Sequence, residues 1–414
     1  MKPDKTLIEN AINANLSNAS NFLCDLISTP SLPGQETAAM NLAVKVFEKI
    51  ASVETVPLSN ALKDDRDYSD PVSGINYDGR NNLRIVMPGS GDGKNLLLNT
   101  HMDTVPPSQG QTQPYEPKIV NGEIFGRGAC DAKGQVATIY LMMAALKTLG
   151  IKLCGSLAGH IVVEEEVGGN GTLAMARRGE NADGCVVLEP TEMRLLSSIR
   201  GAVWFHINVK GKPGHSGQAG QTRSALKSAI RIIEILDGYH ADLLEKSRGD
   251  ALFDKYPNPM PLTFGKLAAG NWPATAPGEA EIEGVLGLLP NKTAGQVMEE
   301  MRQIIRTEGG DGIKDDFEIN FMYRHDASVC PRDSQIVKCM SKATESAGRT
   351  PCIDAMTASC DAWFYNNQLK IPTVVFGGGS LSVAHSNNEH MPVDELAKAA
   401  EILVNLAIEW CGVK

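Results

Sequence analysis

Along the first two-thirds of the chain, short apolar runs alternate with stretches whose apolar residues recur every three or four positions. That alternation predicts an α/β fold with a covered sheet, not an all-α or all-β one. Asn82 to Val86, Leu96 to Leu98, Gly159 to Val163, Gly184 to Leu188 and Pro372 to Phe376 read as strands. Between them, Val136, Ile139, Tyr140, Met143 and Leu146 share one face of a helix expected over Gly134 to Leu149. Ala137, Leu141 and Ala144 make its other face apolar too, so it is expected to be buried on most sides.

The pattern changes near Arg200-Gly201. Val203, Phe205, Ile207 and Val209 alternate with Trp204, His206 and Asn208, as in a strand with one covered face. A helix over Ser224 to Leu236 follows, then strands at Leu262 to Leu267 and Ala280 to Leu288, a helix at Thr293 to Ile305 and a strand at Phe317 to Tyr323. After Pro331 the α/β pattern resumes. A chain of 414 residues is too long for one ordinary core, so two domains are expected. The division reads as a larger domain over 1–199 and 327–414, with a central mixed sheet flanked by helices, interrupted at 200–326 by a smaller α+β domain. The polar stretch Asp64 to Asn82 reads as a long surface loop or insertion.

Composition narrows the function. A net charge of -10 argues against a nucleic-acid footprint, which needs clustered Lys and Arg. It leaves an anionic substrate open, because a bound cation can reverse the local sign. The start of the chain is polar, and no run approaches the roughly 18 apolar residues that a membrane span needs. The nine cysteines are scattered, without the close pairs of a zinc ribbon, and read as free thiols in a reducing cytoplasm.

Four segments repeat one arrangement, an apolar strand followed by acids or histidine. They are Asn95 to Asn99 before His101-Met102-Asp103, Ile161 to Val163 before Glu164-Glu165-Glu166, Cys185 to Leu188 before Glu189, and Thr373 to Phe376 before Gly377 to Gly379 and His385. In open α/β sheets ligands bind beyond the carboxyl ends of strands, so strands sharing a sheet would bring these segments to one cleft. A fifth piece, Gly126-Arg127-Gly128-Ala129-Cys130-Asp131, opens the buried helix.

So many carboxylates in a partly dry cleft would protonate or bind cations. Mixed with two histidines, they suit zinc. His101, Asp131, Glu166, Glu189 and His385 make a ligand set for two ions, with one carboxylate bridging and another left free as a general base. Taken singly each segment has a bland reading, a charged turn or a strand terminus; as an ordered set they do not. Asp103, two residues from His101, is placed to hold the imidazole through its other nitrogen. His215, on the Gly/Pro loop Gly211 to Gly217, is a candidate oxyanion donor that enters the cleft on closure. His160, His206, His240, His325 and His390 read as structural or surface residues.

These motifs in this order resemble the aminoacylase/carboxypeptidase-type two-zinc amidohydrolases, and within them acetylornithine deacetylase and succinyl-diaminopimelate desuccinylase. The resemblance runs from Gly79-Arg80-Asn81-Asn82-Leu83 to Ala384-His385-Ser386-Asn387-Asn388-Glu389. It implies that His101 binds one zinc with Asp103 behind it, that Asp131 bridges, and that Glu189 and His385 complete the shells. Val167-Gly168 sets the register of the acidic run, so Glu165 is the implied base and Glu166 the ligand; the residues alone do not choose between these neighbours. The inserted segment would be a lid and homodimer surface, with the histidine matching His215 entering the partner's site. Cobalt or manganese are implied substitutes for zinc.

Two positions depart from the relatives. Ala274 stands where several have an asparagine in the lid, and Val285 to Pro290 lacks an arginine that grips a substrate carboxylate, leaving Arg200 or Arg324 as substitutes. The expected activity is therefore deacylation of an N-acyl amino acid or related small amine. A metallo-exopeptidase acting on short peptides is the alternative, and a non-catalytic metal-binding homologue a third reading.

Overall fold

A computed structural model describes residues 3–218 and 220–414. Its central nine-stranded sheet runs in the order Ser52–Pro57, Asn81–Met87, Leu157–Val162, Leu96–His101, Gly184–Val187, Thr373–Val375, Leu195–Ile199 and Ser328–Val329, with Ile353–Met356 also paired to Leu195–Ile199. The sheet is mixed. Its four middle strands, Leu157–Val162, Leu96–His101, Gly184–Val187 and Thr373–Val375, are mutually parallel neighbours. All four therefore end on the same edge, and each of the four acidic or histidine segments leaves from that edge.

Both faces of this sheet are covered, which explains why the strands read as continuous apolar runs. Leu96 and Leu98 enter one core with the helices Lys5–Ile27, Lys133–Thr148 and Val393–Cys411, whereas Leu97 enters a second core with Cys185, Val187 and Val375. Every residue of Lys133–Leu146 is buried, as the two apolar faces of that helix require.

A second sheet, ordered Leu262–Ala269, Glu279–Leu288, Gly201–Lys210 and Phe317–His325, is wholly antiparallel. Its alternating residues Val203, Phe205, Ile207 and Val209 face a separate core with the helices Ala225–Lys246 and Ala294–Glu308. The first of these helices runs ten residues past the expected Leu236, because Tyr239, Leu243 and Leu244 continue its apolar face. Thr293 and Gln296 form a reciprocal cap at the start of the second.

The stretch Asp64 to Asn82, expected to be a surface loop or insertion, is mostly exposed or half-buried, with a few residues turned inward. Ser69, Tyr77, Arg80 and Asn82 are buried, and Asn82 already lies in a strand. Several of the inward groups meet polar partners there: the Ser69 backbone N–H donates to Asn170, and Arg80 pairs with Glu36 and Glu164. All nine cysteines are free thiols, and among the described residues no helix is long and apolar enough to cross a membrane.

Candidate metal centre

His101, the last residue of its strand, is fully buried. Its Nδ1 lies 3.0 Å from the Asp103 carbonyl oxygen, which can only accept, so Nδ1 carries the proton. Nε2 faces Asp131 Oδ1, 3.1 Å away, and Glu189 Oε2, 3.9 Å away. The Asp103 carboxylate was expected to orient the ring and lies 3.4 Å from Nδ1. The same carboxylate also accepts the backbone N–H groups of Glu165 and Glu166 through Oδ1 and Oδ2, each at 3.1 Å.

Asp131 sits between the two histidines. While Oδ1 faces His101, Oδ2 is 3.2 Å from His385 Nε2, which also meets Glu166 Oε1 at 3.1 Å. Two sets of ligand atoms result, His101–Asp131–Glu189 and Asp131–Glu166–His385, each within 4.8 Å and sharing Asp131. All five side chains of the expected ligand set are thus brought together, and Glu165 belongs to neither group.

The loops hold these positions firmly. Glu389 Oε1 accepts the N–H groups of Cys130 and Asp131 at 3.3 Å, while Oε2 is ion-paired to the buried Arg127 at 2.5 Å. Arg127 also binds Ser108 Oγ, which donates to the His385 carbonyl. Gly377 lets two strand-end segments touch, since a Cβ there would stand 2.5 Å from the Glu189 carbonyl. His385 and Glu164 both have left-handed backbones, with φ of 60° and 61°, which residues other than glycine rarely adopt.

The electrostatics are those of charges crowded together. Burial alone would make His101 less basic, but the Asp103 and Asp131 carboxylates outweigh it and hold the ring well above the ordinary histidine range. Hydrogen bonds to Asp131 and Glu166 push His385 up to about 10. Burial, then the charge of Asp131, raises Glu166 to about 7; burial and neighbouring carboxylates drive Glu165 and Glu189 well above the usual carboxylate range. Asp131, though buried, is held low by the two histidines. Glu189 Oε1 is buried without a hydrogen-bond partner among the described residues. An orphaned carboxylate oxygen in an N/O donor set of this composition fits a pair of divalent cations.

His215 stands exposed on the short ladder with Thr275–Ala276, its Nδ1 accepting the Gly217 N–H, and among the described residues it has no bond to the cluster. Arg200 and Arg324 donate to backbone carbonyls, of Thr357 and Gly201 and of Phe321, Arg66 and Tyr68 respectively, without an acidic partner among the described residues. A third donor group, His206 with Glu281 and Glu283, lies on the small sheet, where Lys266 already neutralises both glutamates.

Several residues near the centre were not singled out by sequence reasoning. Asp361 is buried, accepts the Thr172 hydroxyl at 2.6 Å and is raised to about 7 by its burial. A lone aspartate in a polar loop gives no signal. Glu389 and Arg127 lie inside motifs that were read, but nothing in their spacing shows that they meet.

A model of the Peptidase family M20/M25/M40 matches residues 97–409. The chain is 26 % identical to the N-formyl-4-amino-5-aminomethyl-2-methylpyrimidine deformylase of Bacillus subtilis, over 78 % of this chain and 81 % of that protein. It is 27 % identical to the acetylornithine deacetylase of Myxococcus xanthus, over 80 % and 84 %. Among solved structures, a di-peptidase of Saccharomyces cerevisiae shares the fold with a TM-score of 0.80 at 13 % identity, covering 98 % of both chains. A dinuclear metal-binding M20 peptidase of Bacillus subtilis does so with 0.66 at 17 %, covering 96 % of this chain and 98 % of that one.

Proposed function

Because the chain belongs to the M20/M25/M40 peptidase family, we propose that it is a two-zinc amide hydrolase that removes an acyl group from an N-acyl amino acid or related small amine. The observation that carries this reading is Asp131, whose two oxygens face two separate His-carboxylate groups, each completed by its own glutamate. His101 and Glu189 would hold one ion, Glu166 and His385 the other, with Asp131 between them.

Cations held there would polarise the scissile carbonyl and make a water acidic enough to attack it near neutral pH. Glu165, outside both donor groups but on the same turn as Glu166, takes the water's proton and passes it to the departing amine nitrogen. The raised basicity of this carboxylate suits a group that must first accept and then give a proton. Asp103 fixes that turn through two N–H bonds and shapes the His101 end of the site. His215 would steady the oxyanion once the inserted segment 200–326 closes as a lid, or from a second copy in a homodimer joined through that segment. A deformylase and a deacetylase among the relatives are compatible with acyl removal, and probable carboxypeptidases among them are equally compatible with peptide cleavage.

The test is a panel of N-formyl, N-acetyl and N-succinyl amino acids beside di- and tripeptides, assayed with the zinc-loaded protein. Turnover of the acyl compounds is expected. Turnover of peptides alone would move the protein to the exopeptidase reading.

A further inference from the structure

The acidic run holds three glutamates, and the reading above uses only the second and third. We propose that the first, Glu164, is a positioning residue that sets the aim of Glu165 and Glu166 through a buried ion trio with Arg80 and Glu36. The inference rests on the assignment of those two neighbours as base and ligand.

Glu164 is wholly buried, and its carboxylate belongs to neither of the two donor groups. Oε1 receives Arg80 Nη1 at 2.5 Å, and Oε2 receives the Tyr77 hydroxyl at 2.6 Å and the Asn170 amide at 3.1 Å. Arg80 is held from its other side by Glu36, whose two oxygens take Nη2 at 2.8 and 2.7 Å. Arg80 is only 5 % exposed and both glutamates 0 %, so water competes little for these charges.

The backbone shows what this anchor does. Glu164 adopts φ 61° and ψ 31°, which breaks the extended course of the strand ending at Val162. In extended chain, Glu164 and Glu166 would project to the same side and Glu165 to the other. The left-handed turn instead drops Glu164 into the interior and brings the N–H groups of Glu165 and Glu166 together onto the Asp103 carboxylate. The turn is closed by Gly169 N donating to the Glu164 carbonyl at 2.7 Å. A side chain other than glycine holds this unfavourable conformation where its surroundings over-determine it, and here Arg80, Tyr77 and Asn170 do so. Tyr77 and Arg80 come from the polar stretch 64–82, so part of that segment acts as a clamp on the base-bearing turn.

The experiment compares Glu164→Gln, Arg80→Met and the double variant with wild type, each loaded with cobalt(II), whose visible absorption reads ligand geometry. Each single change is expected to lower kcat by about tenfold or more with KM within about twofold and to shift the cobalt band. The double variant should lose little beyond the worse single one, because both act through one device. Tyr77→Phe, which deletes one hydroxyl and is the mildest change to the fold, should lower kcat in the same direction by a few-fold. A lower Tm with the wild-type cobalt band and wild-type kcat would reduce the trio to a fold-stabilising ion cluster and overturn the inference. Wild-type protein that takes up no pair of cobalt ions would instead overturn the two-metal reading beneath it.

Discussion

The carboxylate of Asp103 accepts the backbone N–H of Glu165 at 3.1 Å, which makes the aim of the proposed base depend on a residue 62 positions away in sequence, on the loop that leaves the neighbouring strand. The same carboxylate takes the Glu166 N–H and lies near His101, so it links three residues of the centre. Asp103→Asn offers one acceptor oxygen where two are used. It should lower kcat/KM by about 10- to 100-fold, the usual cost of losing an outer partner of a metal site. Steady-state kinetics at full metal loading measures this, and wild-type values would remove Asp103 from the account.

Glu165 and Glu166 are neighbours with different surroundings, since Glu166 alone meets His385. Glu165→Gln should abolish turnover, by at least about 10²-fold, with bound zinc nearly unchanged. Glu166→Gln should lose metal and turnover together. If metal is lost from Glu165→Gln and kept in Glu166→Gln, the two roles are reversed.

With carboxylates as its neighbours, His385 is held up to about 10, and His101 is likewise raised. Both rings are then protonated at pH 7, while a ligating imidazole must be neutral. Zinc uptake at pH 7 should therefore release protons from these rings and also from Glu166 and Glu189, whose carboxyls are raised as well. Calorimetry in buffers of different ionisation enthalpy counts them, and uptake without proton release would exclude the histidines as ligands.

His325 offers a pH test remote from catalysis. It is buried, stacked on Trp363 with ring centroids 4.2 Å apart, and neither ring nitrogen has a partner among the described residues. Burial, helped by the charge of Arg324, lowers it to about 3. Between that value and the ordinary 6.5 the unfolded chain binds the extra proton, so stability is complete above 6.5 and falls as pH drops. The loss at pH 5 should be about 2 kcal/mol. Denaturant unfolding of wild type and His325→Phe at pH 7 and 5 should differ in pH slope by about that amount, and equal slopes would contradict the burial argument.

His215→Ala should reduce kcat by about 10²-fold or more while leaving KM within a few-fold, as expected for a donor to a developing oxyanion. Wild-type kcat in that variant would confine His215 to the exposed turn in which it is seen.

The sheet was legible because its strands are buried on both faces and read as uninterrupted apolar runs, and the helix from Lys133 because both its faces are apolar. That the five candidate side chains meet was legible because a parallel sheet carries its strand-end residues to one edge, so order along the chain maps onto position in space. What could not be read was which buried polar groups meet. Arg80, Glu36 and Glu164 are 44 and 84 residues apart in pairs and carry no periodicity, and a polar stretch that buries its charges looks like one that leaves them in water. The same limit hid Asp361 and the Arg127–Glu389 pair. It also hid the four buried residues within the otherwise exposed or half-buried stretch 64–82.

The central claim is that Asp131 bridges two cations. Crystals of the zinc-loaded protein, measured at and just below the zinc absorption edge, test it most directly. The account predicts two anomalous peaks per chain about 3.5–4 Å apart, one beside His101 and Glu189 and one beside Glu166 and His385. A single peak, or strong zinc only at His206, Glu281 and Glu283, would contradict it.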